Sequence, residues 1–381
     1  MVDDVADNRD LLARRLQRLG YHAIVTAQDG VEALERLAAQ DFDAVLLDVM
    51  MPRLSGLEVL ERMRAENRLE DTPVIMISAA TEIDTVVRCI ELGAEDYLPK
   101  PFNPVLLRAR LATVLDKKAM RAEIRRQLAL LESDLAEART QQLSMVPTEF
   151  PGAATGHRVE VAAEMHPARQ VGGDLYDCFE AADDVLCIAV GDVSGKGMPA
   201  ALFMARARSL LRAATLQSVA MTGCVPAPAD VMAVLNAELC KNNPGCMFIT
   251  LFVGFVNLVT GHVAIGNAGH VWPILVHPGG AAEEVPCPIG PPLGVTARAA
   301  YPAGELVLPR GATLVVITDG LPEMMDAAGD FYTLERVIAD AAAAGDKAPA
   351  ALTAHMVAQV FAFAAGAEQA DDVTILALRL P

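Results

Sequence analysis

Residues 171 to 197 read Val171-Gly-Gly-Asp-Leu-Tyr-Asp, Cys178-Phe-Glu, Ala181-Ala-Asp-Asp, Val185-Leu-Cys-Ile-Ala-Val and Gly191-Asp-Val-Ser-Gly-Lys-Gly. Two apolar runs, 175–179 and 185–191, flank a turn-like Ala181-Ala-Asp-Asp, which predicts an antiparallel hairpin. Antiparallel partners keep a constant index sum. Folding the stretch about a turn near residue 183 therefore sets Asp174 opposite Asp192 at the open end. Two carboxylates facing each other at strand ends repel unless a cation joins them.

The pattern recurs further along the chain. Asp319 ends the run that begins at Thr313, and Asp371 precedes the run Val373-Thr-Ile-Leu. If those strands are antiparallel neighbours, this pair also shares one end. A second hairpin is expected from 249–256 and 262–267 about Leu258-Val-Thr-Gly. Helices are expected near 199–216, opened by Pro199 where a missing N–H costs nothing, near 229–241, and in two Ala-rich stretches between strands at 313–318 and 373–380. Paired hairpins with segregated helices indicate an α+β layered domain over 150–381.

Four carboxylates converging on strand ends call for divalent ions. Two hard cations about 4 Å apart, bridged by a shared carboxylate, would activate a water and stabilise the phosphoryl group it attacks. Gly191, Gly195 and Gly197 would let backbone carbonyls approach such ions. Any one of these aspartates alone reads more simply as a turn or cap residue; the argument rests on the set. Gly191-Asp-Val-Ser-Gly-Lys-Gly is not a P-loop, because it has three residues rather than four before its Gly-Lys and ends in Gly. Arg169 stands on a strand entering the site as a possible phosphate clamp. His270 in Gly266-Asn-Ala-Gly-His reads as structural, and Asp177 and Asp372 as supports for the ligands.

Residues 116–149 balance six acids against six bases, with no Gly or Pro before Pro147. Ile124, Leu128, Leu131, Leu135, Ala138, Gln142 and Met145 follow a 4-3-4-3-4-3 spacing, the a/d seam of a coiled coil. The expectation is a helical linker that forms a parallel homodimer; a single helix docked on a neighbouring domain is the alternative.

Residues 1–115 alternate short β-branched runs (21–26, 44–48, 73–78, 95–98) with amphipathic stretches (6–19, 29–39, 56–66, 83–92, 103–115). Ala44-Val-Leu-Leu and Val74-Ile-Met-Ile are apolar on both faces, so a five-stranded parallel sheet between helices is expected: an α/β doubly wound, flavodoxin-like unit. Asp3 and Asp4 follow its first strand, Asp48 the third, Ser78 the fourth and Lys100 the fifth. Three carboxylates at one edge suit Mg²⁺, Ser78 could bond a phosphoryl oxygen, and Lys100 could neutralise it, which makes Asp48 a nucleophile that becomes an aspartyl phosphate. Only Met1 and Val2 precede the acidic pair, where a central strand needs about five residues. Either the chain begins downstream of its natural start or this unit lacks part of its innermost strand.

The net charge of −18 divides as −7, zero and −11 over residues 1–115, 116–149 and 150–381, so no segment has the basic excess that nucleic acid requires. Seven cysteines without a CxxC pair suit reduced thiols, and no apolar run reaches the eighteen or so residues of a membrane span. A cytoplasmic protein is expected.

Val2-Asp-Asp, Leu47-Asp-Val-Met-Met-Pro, Ile77-Ser-Ala and Tyr97-Leu-Pro-Lys-Pro resemble the receiver domain of two-component response regulators over all of 1–115. That resemblance implies phosphorylation of Asp48 by a sensor histidine kinase or phosphotransfer protein. It further implies Mg²⁺ on Asp3, Asp4 and Asp48, a switch pair in Ser78 and Tyr97, and contact of Lys100 with the phosphoryl group. From about 150 onward, Val171-Gly-Gly-Asp-Leu-Tyr-Asp, Gly191-Asp-Val-Ser-Gly-Lys-Gly, Gly266-Asn-Ala-Gly-His, Thr318-Asp-Gly-Leu-Pro-Glu and Asp371-Asp-Val-Thr-Ile-Leu resemble, in order, the metal-dependent (PPM, type 2C-like) serine phosphatases of the stage II sporulation type. This implies an αββα sandwich. Asp192, Asp319 and Asp371 would hold one Mn²⁺ or Mg²⁺, and Asp174, Asp192 and the Val193 carbonyl the second. Hydrolysis would proceed without a phosphoenzyme. The implied substrate is a phosphoserine or phosphothreonine protein, an anti-sigma-factor antagonist. The rival reading is a receiver-controlled binding adaptor with a silent phosphatase-like domain; a transcription factor is disfavoured by the acidic output half.

Overall fold

The computed structural model describes residues 1–79, 83–151 and 159–381. The chain divides into two compact units, Met1–Glu132 and Ser133–Pro381.

The first unit contains α1 (Ala6–Arg18), α2 (Gly30–Ala39), β1 (Val45–Asp48), α3 (Gly56–Ala65), β2 (Val74–Ser78), α4 (Ile83–Glu91), β3 (Asp96–Pro99) and the start of α5 (Pro104–Met145). Helix starts are set by local chemistry: the Asp29 side chain accepts the N–H groups of Val31 and Glu32, and Ser55 with Glu58 forms a capping box. β1 and β2 pair in parallel from Val45↔Val74 to Asp48↔Ile77, and β2 and β3 from Ile75↔Asp96 to Ser78↔Pro99. Every residue of β1 and β2 is buried. Val74 and Met76 join a core with Leu47, Val59 and Leu60, while Ile75 and Ile77 join another with Leu12, Leu98 and Leu107, so helices cover both faces as the apolar runs required.

Two expectations fail at the thin edge of this sheet. The expected strand 21–26 forms no ladder, and the innermost strand shrinks to Val2, which makes isolated parallel bridges to Ala27 and Leu47. Val2 donates to the Leu46 carbonyl at 2.8 Å, accepts from Asp48 at 3.0 Å, and leaves Ala27 to donate to Met1 at 2.9 Å. Val2 alone pairs on the innermost line, so segment 21–26 has no ladder to extend. A cavity of about 690 Å³ lies here, lined by Leu16, Ile24, Leu46, Leu111 and Leu115 among others.

The helices expected at 103–115 and in the linker are one element, because no Gly or Pro interrupts α5 after Pro104. Its residues beyond 115 are tied to the first unit by ion pairs: Lys117 and Arg121 each reach Glu95 at 3.1 Å, and Arg125 reaches Glu70 at 3.0 Å. Ile124, Leu128 and Leu131 are 52%, 54% and 55% exposed, so in the single chain their side of the helix is uncovered.

The second unit begins within α5 and continues with β4 (Glu160–His166), β5 (Leu175–Ala182), β6 (Val185–Val193), α6 (Met198–Thr222), α7 (Pro228–Leu239), β7 (Ile249–Asn257), β8 (His262–Ala268), β9 (Ile274–Val276), β10 (Ala282–Glu284), β11 (Ala303–Val307), β12 (Thr313–Ile317), α8 (Leu334–Ala344), α9 (Pro349–Ala364) and β13 (Val373–Arg379). They build two antiparallel sheets, ordered β10-β9-β12-β13-β4 and β11-β8-β7-β6-β5. Between the sheets lie Leu186, Ile188, Phe252, Leu314, Val316 and Leu376. The outer face of one sheet packs on α6 and α7 through Ala207, Leu211 and Leu235, and that of the other on α8 and α9 through Val337, Ala341 and Met356. The result is the expected αββα sandwich, in which each strand alternates its side chains between the inter-sheet core and a helical layer.

Candidate functional site

The hairpin register comes out as the index sum predicts. β5 and β6 pair as Leu175↔Gly191, and one further step sets Asp174 across from Asp192. On the facing sheet β12 and β13 are antiparallel neighbours with Ile317↔Ile375, so Asp319 and Asp371 leave the sheet at the same end. The two sheets meet at Asp174. Its Oδ2 accepts the Thr374 hydroxyl at 2.6 Å and the Thr318 hydroxyl at 2.8 Å, both from the facing sheet. Neither threonine is assigned a role from the sequence, although Thr318 adjoins Asp319 and Thr374 closes the Asp371-Asp-Val-Thr motif.

Electrostatics mark the cluster as cation-seeking. Asp192 is pushed up to about 7, first by burial and then by the charges of Asp319 and Asp371. Asp174, 1% exposed, is raised well above the usual range by burial, then by Asp192 and Asp372. Asp319 is raised by burial, Glu323 and Asp371. Charged carboxylates held this close want a hard divalent ion, and all-oxygen donors are what Mg²⁺ or Mn²⁺ takes. The backbone fits as well: a Cβ at Gly173 would come within 2.9 Å of the Val193 carbonyl oxygen, so glycine leaves that oxygen uncovered. The four aspartates are nevertheless spread. Among the described residues, no three of them bring ligand atoms within 4.8 Å of one another.

The supporting residues separate by geometry. Asp372 accepts backbone N–H groups from Ala168 at 2.7 Å, Gly173 at 2.6 Å and Asp174 at 3.3 Å, which shapes the loop that delivers Asp174. Lys196 lies 3.3 Å from Asp371. Asp177 points away from the cluster, fully buried between Arg212 at 2.6 Å and Arg208 at 3.1 Å. His270 is structural: its ring Nδ1 meets the Thr250 hydroxyl at 3.0 Å, Asn267 brackets its backbone, and burial pushes its pKa down to about 4. Arg169 is not on a strand. It is exposed on the loop between β4 and β5, which gives it reach but no fixed position.

In the first unit, Asp3, Asp4 and Asp48 bring one carboxylate oxygen each within 4.8 Å of one another at the carboxyl ends of Val2 and β1. Lys100 Nζ lies 2.6 Å from Asp48 and 2.7 Å from Asp3. Burial works against the Lys100 ammonium, but its hydrogen bonds to Asp3 and Asp48 outweigh that and raise its pKa. Burial likewise raises Asp48, partly offset by Lys100. The backbone N–H of Lys100 donates to the Ser78 carbonyl at 2.8 Å, and the Tyr97 hydroxyl reaches the same carbonyl at 3.4 Å. The five residues expected at this edge, Asp3, Asp4, Asp48, Ser78 and Lys100, lie together there, and Tyr97 reaches Ser78 from β3.

An acidic triad with a neighbouring lysine at the edge of a parallel sheet, followed by an αββα sandwich with strand-end aspartates, defines a receiver module joined to a type 2C-like phosphatase module. The family comparison agrees. The response regulator receiver domain matches residues 1–112, and stage II sporulation protein E (SpoIIE) matches residues 182–381. The chain belongs to the SpoIIE family.

The response regulator MprA of Mycobacterium ulcerans (strain Agy99) is 37% identical over 159 residues, covering 39% of this chain and 67% of that protein. The probable transcriptional regulator ycf27 of Guillardia theta is 43% identical over 115 residues, covering 30% of this chain and 44% of that protein. The chain spans about half the length of several of the curated relatives it matches. In fold, it is similar to the SiaA-PP2C domain of Pseudomonas aeruginosa, with a TM-score of 0.58 at 20% identity over 67% of this chain and 99% of that domain. No helix among the described residues is long and apolar enough to cross a membrane.

Proposed function

We propose that this chain is a response regulator whose output is hydrolysis of phosphoserine or phosphothreonine on a protein partner, tuned by phosphorylation of Asp48. The observation that carries the reading is the convergence of Asp174, Asp192, Asp319 and Asp371 on one end of two facing sheets, with Asp192 pushed up to about 7 by burial and then by the charges of Asp319 and Asp371.

Asp192, Asp319 and Asp371 would hold one ion, and Asp174, Asp192 and the Val193 carbonyl the other. Two divalent ions bound there supply an activated water and neutralise charge on the phosphoryl group. The chain's own part is to fix these oxygens. Thr318 and Thr374 pin one oxygen of Asp174, Asp372 shapes the loop before it, and Lys196 beside Asp371 adds a positive charge at the mouth. Arg169, exposed on the loop between β4 and β5, would meet the substrate phosphate.

In the receiver, Asp3, Asp4 and Asp48 would hold Mg²⁺, a histidine kinase or phosphotransfer protein would supply the phosphoryl group to Asp48, Lys100 would pair with it, and Ser78 and Tyr97 would register its arrival. The exposed Ile124, Leu128 and Leu131 would join two chains as a parallel coiled coil. Family membership points to an anti-sigma-factor antagonist as substrate. A binding adaptor without turnover is the second reading, favoured because, among the described residues, no three of these aspartates bring ligand atoms within 4.8 Å of one another. The deciding test is phosphate release from candidate phosphoproteins with the receiver phosphorylated and unphosphorylated. Turnover that changes with receiver state supports the first reading, and stable complexes without phosphate release support the second.

A further inference from the structure

Among residues 133–145 of α5, all of them described, Gln142 is the one that is buried. A buried amide on this largely solvated stretch of helix needs a partner for each of its polar atoms. Gln142 finds both on a single residue: its Nε2 donates to the Gly172 carbonyl at 2.6 Å, and its Oε1 accepts the Gly172 N–H at 3.1 Å. One side chain thus pairs the whole backbone of Gly172, as a neighbouring strand would.

Gly172 is clamped from the other side as well. A Cβ there would fall 2.3 Å from Asp372 Oδ2, and that same oxygen accepts the N–H groups of Gly173 and Asp174. The segment 172–174 is therefore gripped between an amide of α5 and a carboxylate of the β12–β13 end. It carries Asp174, and its Gly173 lies against the Val193 carbonyl. Shifting or removing the amide leaves a buried N–H and C=O unpaired and frees one side of this segment.

We propose that Gln142 is a positioning residue for the metal site: through it the end of α5 fixes the 172–174 segment, so that the placement of α5 sets how tightly Asp174 and the Val193 carbonyl hold a divalent ion. The inference rests on the phosphatase reading above. It assigns to Gln142 a role that its place in the a/d spacing concealed, since an amide committed to Gly172 does not belong to a seam between two helices.

The test is Mn²⁺ binding to the full chain, read from the electron paramagnetic resonance signal of free Mn²⁺, with phosphoserine-peptide hydrolysis measured alongside. Gln142→Ala is expected to weaken Mn²⁺ binding about tenfold or more, the usual cost of losing a partner behind the ligands. Its hydrolysis should recover as Mn²⁺ is raised, with KM for the peptide unchanged. Gln142→Glu keeps the acceptor for the Gly172 N–H and loses the donor, so it should fall between wild type and Gln142→Ala. Arg139→Ala, exposed on the same helix and outside the a/d spacing, should bind Mn²⁺ as wild type does. If Gln142→Ala fails to fold, Gln142→Glu decides. Wild-type Mn²⁺ affinity in the folded variants overturns the inference and leaves the phosphatase reading standing, whereas a wild-type chain that neither binds Mn²⁺ nor releases phosphate overturns both.

Discussion

Asp372 accepts the backbone N–H of Gly173 at 2.6 Å across 199 residues of sequence. The contact ties the end of one sheet to the loop entering the other. Asp372 also holds Ala168 and Asp174, so its oxygens are spent on backbone donors rather than on an ion. Asp372→Asn turns one acceptor oxygen into a donor facing N–H groups. We expect a loss of about 1–3 kcal/mol in stability and a fall in Mn²⁺ affinity of at least about tenfold. Urea unfolding and calorimetric Mn²⁺ titration measure the two. Unchanged values in both would show that Asp372 does not shape the loop.

Stability of the metal-free chain should fall as pH rises. Asp192 is raised from 3.8 to about 7 in the fold, so between those values the folded state holds a proton that the unfolded state has released. Unfolding free energy then decreases with pH across that window, by at most about 4 kcal/mol from this group. The loss is complete above pH 7. Mn²⁺ replaces the proton as the source of positive charge, so metal binding should strengthen over the same window. Thermal unfolding at pH 5.5 and pH 8, with chelator and with Mn²⁺, tests this. The expected result is a lower chelator-treated midpoint at pH 8 and the largest gain from Mn²⁺ there, both reduced in Asp192→Asn.

Asp48→Asn should leave basal phosphate release intact and remove its response to acyl-phosphate donors. Asp48 lies within reach of Lys100 in the first unit and takes no part in the aspartate cluster of the second. A phosphatase assay with and without acetyl phosphate reads the effect. A variant that still responds would place the regulatory phosphorylation elsewhere.

The exposed leucines of α5 should carry self-association. Leu128→Glu with Leu131→Glu places charge where the a/d spacing expects a partner. Sedimentation at micromolar concentration is expected to give a dimer for the wild type and a monomer for the double variant. A wild-type monomer, phosphorylated or not, would rule out the coiled-coil linker.

Much of the site was legible because strand pairing is arithmetic. A constant index sum placed Asp174 opposite Asp192, and two apolar runs with an aspartate at the shared end placed Asp319 with Asp371. What escaped depends on tertiary partners. Glu160–His166 carries alanines and scattered charges that give little strand signal alone, and it becomes a strand by pairing with β13. Segment 21–26 has the β-branched look of a strand but lacks a neighbour long enough to pair with it. Gln142 fits a heptad on paper, yet Gly172, thirty residues on, claims its amide. Thr374 within β13 and Thr318 just past β12 look ordinary until the facing sheet brings Asp174 between them.

The most direct measurement is phosphate release from a phosphoserine peptide by the full chain, with Mn²⁺ and with chelator, for wild type and Asp192→Asn. The account predicts turnover that requires Mn²⁺ in the wild type and falls by at least about a hundredfold in Asp192→Asn, because this aspartate would serve both ions. Turnover that survives the chelator, or that Asp192→Asn retains, would contradict it.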